Sequence, residues 1–327
     1  MTDILTVTMN PALDVSTSTS KVSDSSKLRC SAAQFHPGGG GINVARVLHR
    51  LGADCLAVYP AGGVTGQQLQ KLLDQEQVRS HCIAIAAETR ESFSVLETSS
   101  GRDFRFVLPG PELSAAECEA CLTYTNEASA LETTPRFLVA SGSLPPGVPV
   151  DFYAQLARLA RSRGSLMVLD TSGPALAAAL AEGVYLVKPS LRELRDLTGR
   201  PLDTELQWLV AAQQIIKAGQ ARVVALSLGE DGALLVTADQ ALRARSVPVT
   251  VKSSIGAGDS FVGGLVWALN RNTELSEAFR YGMAAGAAAL LTTGTALCQA
   301  ADVERLHKEV AVHTLDLAQA AAARRLP

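Results

Sequence analysis

Ile255-Gly256-Ala257-Gly258-Asp259-Ser260, followed by the apolar run Phe261 to Leu269, is the stretch on which the fold turns. Small residues let the backbone approach a ligand closely, and a helical pattern begins straight after them. A helix N-terminus presents unpaired N–H groups and the positive end of its dipole, so this junction suits an anion. A carboxylate placed there can take a proton from a hydroxyl. Anion cradle and base together are what phosphoryl transfer to an alcohol requires. The competing reading is a glycine-rich turn in which Asp259 is only a first-turn helix residue.

Composition narrows the field. At 327 residues the chain accommodates one large α/β domain, or a domain with a small accessory piece. A hydrophobic content of 47% and a charged content of 19% describe an ordinary globular protein, and a net charge of −3 argues against nucleic acid or anionic membrane as a partner. No apolar run reaches the ~18 residues of a membrane span, and the N-terminus lacks a secretory pattern, so a cytoplasmic location is expected. The six cysteines are scattered and expected to be reduced; Cys118 and Cys121 form a C-x-x-C inside an acidic helical pattern, with no second pair to complete a zinc site. The five histidines show no ligand spacing.

Upstream, Ile4 to Met9 reads as a buried strand ended by Asn10-Pro11, with Asp14 close behind. Pro37-Gly38-Gly39-Gly40-Gly41 then runs into a helix from Ile42 to Leu51. Four glycines cost conformational entropy, so this loop is expected to approach something closely. It has neither Rossmann spacing nor the Gly-Lys pair of a Walker loop. Cys55 to Tyr59 reads as a strand, with a helix to about Leu73. The segments Ser92 to Leu96 and Phe104 to Leu108 alternate about a turn, which predicts a hairpin outside the main sheet. Residues from about 21 to 35 and 88 to 107 are therefore expected to form a small antiparallel β lid with Arg90 at its root. From about Pro135 strands and helices alternate with short loops, which predicts a mostly parallel sheet with helices on both faces. Ligands of such sheets bind beyond the C-terminal strand ends, where Ser141, Asp170, Lys188-Pro189-Ser190 and Ser227-Leu228-Gly229 fall. The Ala/Gly-rich helix from Leu275 to Leu291 is expected to pack tightly on a neighbour. The tail after about residue 311 is helix-prone and expected to be peripheral.

The glycine loop running into Ile42-Asn43-Val44-Ala45, the late Gly256-Ala257-Gly258-Asp259-Ser260-Phe261 and the α/β order together resemble the ribokinase/PfkB family of sugar kinases, across residues 1–311. The segments Leu28-Arg29-Cys30, Tyr59 to Gly63, Phe104 to Val107 and Ser141 to Gly147 are similar to its phosphofructokinase members. The resemblance implies a three-layer α/β/α sandwich with a lid. It also implies ATP-dependent phosphorylation of fructose 6-phosphate at the 1-hydroxyl, with tagatose-6-phosphate kinase or 1-phosphofructokinase activity as the alternative. Relatives of those two kinds usually carry Lys where this chain has Gly40. A non-catalytic sugar or nucleotide sensor on the same fold is the reading from another class, and the intact Asp259 motif argues against it.

Residue roles implied by the resemblance follow the same lines. Asp259 would be the general base, and the N–H groups of Gly256, Ala257 and Gly258 the anion hole. Asp14, Gly39, Gly40, Gly41, Asn43 and Ser141 would face the sugar, with Lys27, Arg29 and Arg90 on its 6-phosphate. Lys188, Ser190 and Glu193 would serve Mg²⁺ and the ATP phosphates, Glu193 indirectly. Ser227, Gly229, Gly232 and Gly286 would hold the nucleotide. Carbonyls near Ser253, Ile255, Ala289, Thr292 and Gly294 would form a monovalent-cation site for K⁺. One departure is Ser190, where the family carries Asn. A homodimer through the lid is expected, with ATP and a phosphosugar as the small-molecule partners.

Overall fold

The computed structural model describes residues 2–24, 27–130 and 134–317. In chain order its elements are β1 (Ile4–Val7), β2 (Ala12–Thr19), β3 (Gln34–Gly38), α1 (Gly40–Arg50), β4 (Cys55–Ala61), α2 (Gly63–Gln75), β5 (Ser80–Ala84), β6 (Arg90–Glu97) and β7 (Arg102–Val107). There follow α3 (Ala115–Ala128), β8 (Phe137–Ser141), α4 (Phe152–Arg163), β9 (Leu166–Asp170), α5 (Gly173–Glu182), β10 (Val184–Val187), α6 (Leu191–Thr198), α7 (Glu205–Lys217) and β11 (Ala221–Ser227). The chain closes with β12 (Ala233–Val236), β13 (Ala241–Ala244), α8 (Ala257–Asn270), α9 (Leu275–Ala289), α10 (Ala300–His307) and β14 (Val312–Leu315).

The main sheet runs β14-β13-β12-β11-β10-β9-β8-β1-β4-β5, parallel from β5 to β11 and antiparallel through β12, β13 and β14. Its strands are apolar on both faces, as a sheet covered on both sides must be. Ile4, Ala57, Tyr59 and Val139 pack with α1, α2, α8, α9 and α10, whereas Leu5, Val58, Leu138 and Ala140 pack with α3 to α7. Each such large buried side chain contributes about 1.5–3 kcal/mol. Helix starts carry their own chemistry: Ser114 with Glu117, Ser190 with Glu193 and Thr204 with Gln207 each form a reciprocal capping box. Cys118 and Cys121 are buried on α3 and free. Among the described residues no helix is long and apolar enough to cross a membrane.

The second sheet, order β3-β2-β6-β7, is antiparallel at its two outer pairs and parallel between β2 and β6. Its composition differs from the expected segments. Most of 21–35 is the connection between β2 and β3, and Ala12–Thr19 is the inner strand instead. The Ser/Thr-rich run from Ser16 to Thr19 reads as loop in isolation, yet all of it pairs with β6, and Ser16 also with Gln34 of β3. The tail differs too. Val312–Leu315 is a strand that extends the main sheet beside β13, so the chain to Leu315 belongs to the domain. The remainder of the tail from 318, including Arg324 and Arg325, lies outside the described residues.

Candidate active site

Strands β1, β8, β9 and β10 end at one edge of the main sheet, and α8 starts above them. Gly256 caps α8 at φ 75°, a conformation that costs glycine nothing, and any Cβ there would lie 2.3 Å from Leu297 Cδ2. The first i→i−4 bond of the helix is Ser260 N–H to the Gly256 carbonyl at 2.8 Å, so earlier amides lack such partners; that of Ala257 makes a long 3.4 Å bond to Ser254. Asp259 sits in this first turn.

Three distant elements converge on its carboxylate. Asn43, buried in the first turns of α1, donates from Nδ2 to Asp259 Oδ2 at 2.9 Å. Ser141, at the end of β8, points its hydroxyl at Oδ1 from 3.5 Å. Lys188, just past β10, meets Asp170 Oδ1 at 3.1 Å, and its Nζ would lie 3.6 Å from a Cβ on Gly258. Burial raises the Asp259 pKa, while Asn43, Lys188, Arg105 and Ser141 oppose that rise. Burial likewise pushes Asp170 up to about 6 against the pull of Lys188, with the Asp259 charge adding to the rise. Burial alone would lower the Lys188 pKa; Asp170 outweighs it, and the pKa is raised.

On the other side of the cleft the glycine loop passes close to polar groups. A Cβ on Gly38 would lie 2.2 Å from Asp14 Oδ2, and one on Gly40 would lie 2.2 Å from Ser141 Oγ. Lys at position 40 therefore requires this loop or Ser141 to move. Gly39 and Gly41 close in on Thr8 in the same way. Asp14, on β2, lines a small cavity with Ser92, Ser94, Arg105, Ile255 and Thr295. Burial pushes its pKa up to about 6, only partly offset by Thr295 and by the charges of Arg105, Arg46 and Arg90.

The basic residues divide. Arg90 places its guanidinium on the carbonyls of Asn10 (3.0 Å), Pro11 (3.4 Å) and Leu108 (3.0 Å), which fixes the lid root to the loop before β2. Lys27 and Arg29 are exposed on the connection between β2 and β3. Arg105, on β7, carries charge toward both Asp14 and Asp259 and was not among the sequence candidates. Its position in the Phe104-Arg105-Phe106 alternation marks a strand face and nothing more. Asp170 stood out only as a polar strand end. Its pairing with Lys188 needs the β9–β10 register, Leu186 beside Val168 and Val187 beside Leu169.

The expected nucleotide and cation residues lie nearby with other duties. Ser190 and Glu193 cap α6, Glu193 Oε2 accepting from Ser190 N–H at 2.7 Å and Ser190 Oγ from Glu193 N–H at 3.2 Å. Ser227 bridges to Ser190, and Gly229 and Gly232 flank the single turn that follows β11. Gly286 lies against the start of α8, where a Cβ would be 3.3 Å from the Ala257 carbonyl. Ser253 and Gly294 line one cavity of about 150 Å³ with Asp103 and Lys252. The loop carrying Ser253 and Ile255 is tied to the end of α9 by Lys252 N–H to the Leu290 carbonyl at 2.7 Å. Thr292 Oγ1 donates to the Ala289 carbonyl there at 2.9 Å. Among the described residues no group of three or more His, Cys, Asp or Glu side chains forms a ready-made metal cage.

ATP-dependent 6-phosphofructokinase isozyme 2 of Mycobacterium tuberculosis is 48% identical over 311 residues, covering 95% of this chain and 91% of the relative. Phosphofructokinase-2 of Escherichia coli, solved in complex with fructose-6-phosphate, superposes with a TM-score of 0.88 at 40% identity, over 94% of this chain and 99% of that one. The same protein solved with potassium gives a TM-score of 0.89 at 41% identity, over 94% and 99%. A 1-phosphofructokinase of Xanthomonas campestris is 35% identical over 281 residues, 84% of this chain and 87% of the relative. Residues 7–302 match the profile of the pfkB family carbohydrate kinases, and this chain belongs to that family.

Proposed function

We propose that this protein transfers the terminal phosphoryl group of ATP to the 1-hydroxyl of fructose 6-phosphate, giving fructose 1,6-bisphosphate and ADP. The observation that carries the reading is a carboxylate in the first turn of α8, held by Asn43 and faced by a buried lysine. Asp259 takes the hydroxyl proton as the sugar oxygen bonds to phosphorus and the bond to the ADP oxygen breaks. Asn43 and Ser141 address its two oxygens separately, which fixes the plane of the carboxylate. Amides at the start of α8 and the Lys188 ammonium stabilise charge on the transferred group. Asp14 receives sugar hydroxyls, and Arg105 and Arg90, together with Lys27 and Arg29 from the connection between β2 and β3, supply positive charge for the 6-phosphate.

The donor set fits a phosphate-bound Mg²⁺, which takes one or two protein carboxylates and leaves its other positions to phosphate and water. Asp170 and Glu193 are, besides the base Asp259, the carboxylates whose charges reach Lys188. Bound there, Mg²⁺ would neutralise phosphate charge. Carbonyls around Ser253, Ile255, Ala289, Thr292 and Gly294 suit a monovalent cation such as K⁺, because two loops bring hard oxygens together beside α8. Phe35, Phe93 and Phe106 are 45%, 37% and 56% exposed, and their register places them in one row across the lid, so a second subunit covering this face gives a homodimer.

A second reading, 1-phosphofructokinase activity, is favoured by the Xanthomonas relative and opposed by the close contact of Gly40 with Ser141. Steady-state kinetics with fructose 6-phosphate, tagatose 6-phosphate and fructose 1-phosphate separates the cases. The highest kcat/KM is expected for fructose 6-phosphate, and a preference for fructose 1-phosphate overturns the assignment.

A further inference from the structure

We infer that Arg46 is a positioning residue for catalysis, acting through Asn43 on the carboxylate of Asp259. Its side chain is 0% exposed, an unusual place for a guanidinium. From there Nη1 donates to the Pro37 carbonyl at 3.0 Å, to the Thr295 carbonyl at 3.0 Å and to Asn43 Oδ1 at 3.4 Å. Those acceptors belong to the glycine loop, to the loop after α9 that reaches Asp14, and to the amide that holds Asp259.

The amide contact sets direction as well as position. An Asn side chain can turn by half a circle and exchange its oxygen and nitrogen. With Arg46 donating to Oδ1, only Nδ2 is left to face Asp259, where it serves as the donor. Turned the other way, the amide would set an oxygen against a carboxylate and leave Arg46 facing an NH₂ group. Arg46 thus excludes the unproductive orientation from a full side chain away.

Glu76 holds the guanidinium in place. It caps the end of α2 and accepts from Arg46 Nε at 2.9 Å and Nη2 at 2.6 Å. It also accepts from Arg50 Nη2 at 3.0 Å, and Arg50 fixes the same loop through the carbonyls of Ala296 and Cys298.

The inference rests on Asp259 being the base, and a double-mutant cycle tests it separately. Arg46→Met and Arg46→Lys are made in the full chain, each with Asn43 intact and with Asn43→Ala. Kinetics are measured below each variant's melting temperature. With Asn43 present, Arg46→Met is expected to lower kcat about 10–100-fold while the KM for ATP stays within about threefold. In the Asn43→Ala background the same change is expected to cost less than about threefold, since the group it orients is gone. Arg46→Lys keeps a charge for Glu76 and completes the cycle where Arg46→Met does not fold. Equal losses in both backgrounds, or a kcat unaffected by either change, would overturn the positioning role while leaving the assignment of Asp259 untouched.

Discussion

Two of the largely buried ion pairs among the described residues are built differently. Arg46 and Glu76 form a closed pair: guanidinium nitrogens end on the carboxylate, on main-chain carbonyls or on the amide oxygen of Asn43. Lys188 and Asp170 form an open one, in which the ammonium meets a single carboxylate oxygen and otherwise faces the small side of Gly258. Burial depresses the Arg46 pKa while Glu76 opposes it, and Glu76 is held below the usual carboxylate range because Arg46 and Arg50 outweigh its own burial. At the open pair both pKa values stand raised, Asp170 at about 6. A closed pair supports structure, because its partners are already supplied. An open pair keeps charge available for a ligand that arrives with its own, as a nucleotide phosphate does.

Substitutions across this contrast should separate catalysis from stability. The largest effect belongs to the group the open pair faces. Asp259→Asn is expected to reduce kcat by ~10²–10⁴ with sugar KM nearly unchanged; near-parental kcat would remove Asp259 from its role. Lys188→Met is expected to cost ~10² in kcat, as for loss of one preorganised charge partner, with little change in melting temperature. A drop in stability with kcat intact would make the open pair structural after all. Glu76→Gln should do the reverse, unfolding the protein more easily by about 2–3 kcal/mol in urea titration. That figure is below the ~3–5 kcal/mol of a fully buried broken pair, because Glu76 keeps 26% exposure. Unchanged stability there would show that the carbonyls of Pro37 and Thr295 suffice for Arg46.

Asp14 tests the same idea with one unpaired carboxylate. Its folded pKa is raised from 3.8 to about 6, so its contribution to stability is fully present below pH 3.8 and lost as pH rises through about 6. Asp14→Asn is accordingly expected to be more stable than the parent by about 1–2 kcal/mol near neutral pH, with the gain gone by about pH 4. Sugar binding should weaken at the same time. Thermal unfolding at the two pH values checks the first expectation, and a gain that persists in acid would contradict it. The smallest effect is expected of Ser190→Asn. Asn caps a helix as well as Ser does, so α6 should stay intact and kcat remain within about threefold, with an equal or lower Mg²⁺ requirement. Complete loss of turnover would show that the serine hydroxyl has a duty beyond its capping bond.

Local patterns made much of this legible. The alternation after Pro135 announced the parallel sheet, and the two glycine stretches marked where backbone approaches something closely. The short strand β14 escaped because Val312-His313-Thr314-Leu315 has too few residues to show a period. Arg105 escaped because one arginine in a strand face has no local signal, and only the pairing of β2, β6 and β7, with Arg105 beside Ser94 and Ser94 beside Ser16, brings it near Asp14. Arg46 looked like one more helix residue, since nothing near it in sequence explains a buried charge. Its carboxylate partner Glu76 is 30 residues away and its Thr295 carbonyl partner 249.

The amino-acid sequence by itself determined most of the elements (though not β2 or β14), the helix N-terminus with its carboxylate, and the family. Each depends on periodicity or turn chemistry within a few residues, which the chain encodes directly. Tertiary structure alone decided that Asn43, 216 residues from Asp259, and Ser141, 118 residues away, address the two oxygens of one carboxylate. It also decided which ion pair is closed and which is open. Those choices follow from how helices α1 and α8 pack on the same face of the sheet, and hydrogen-bond geometry across such a contact leaves no trace in local spacing.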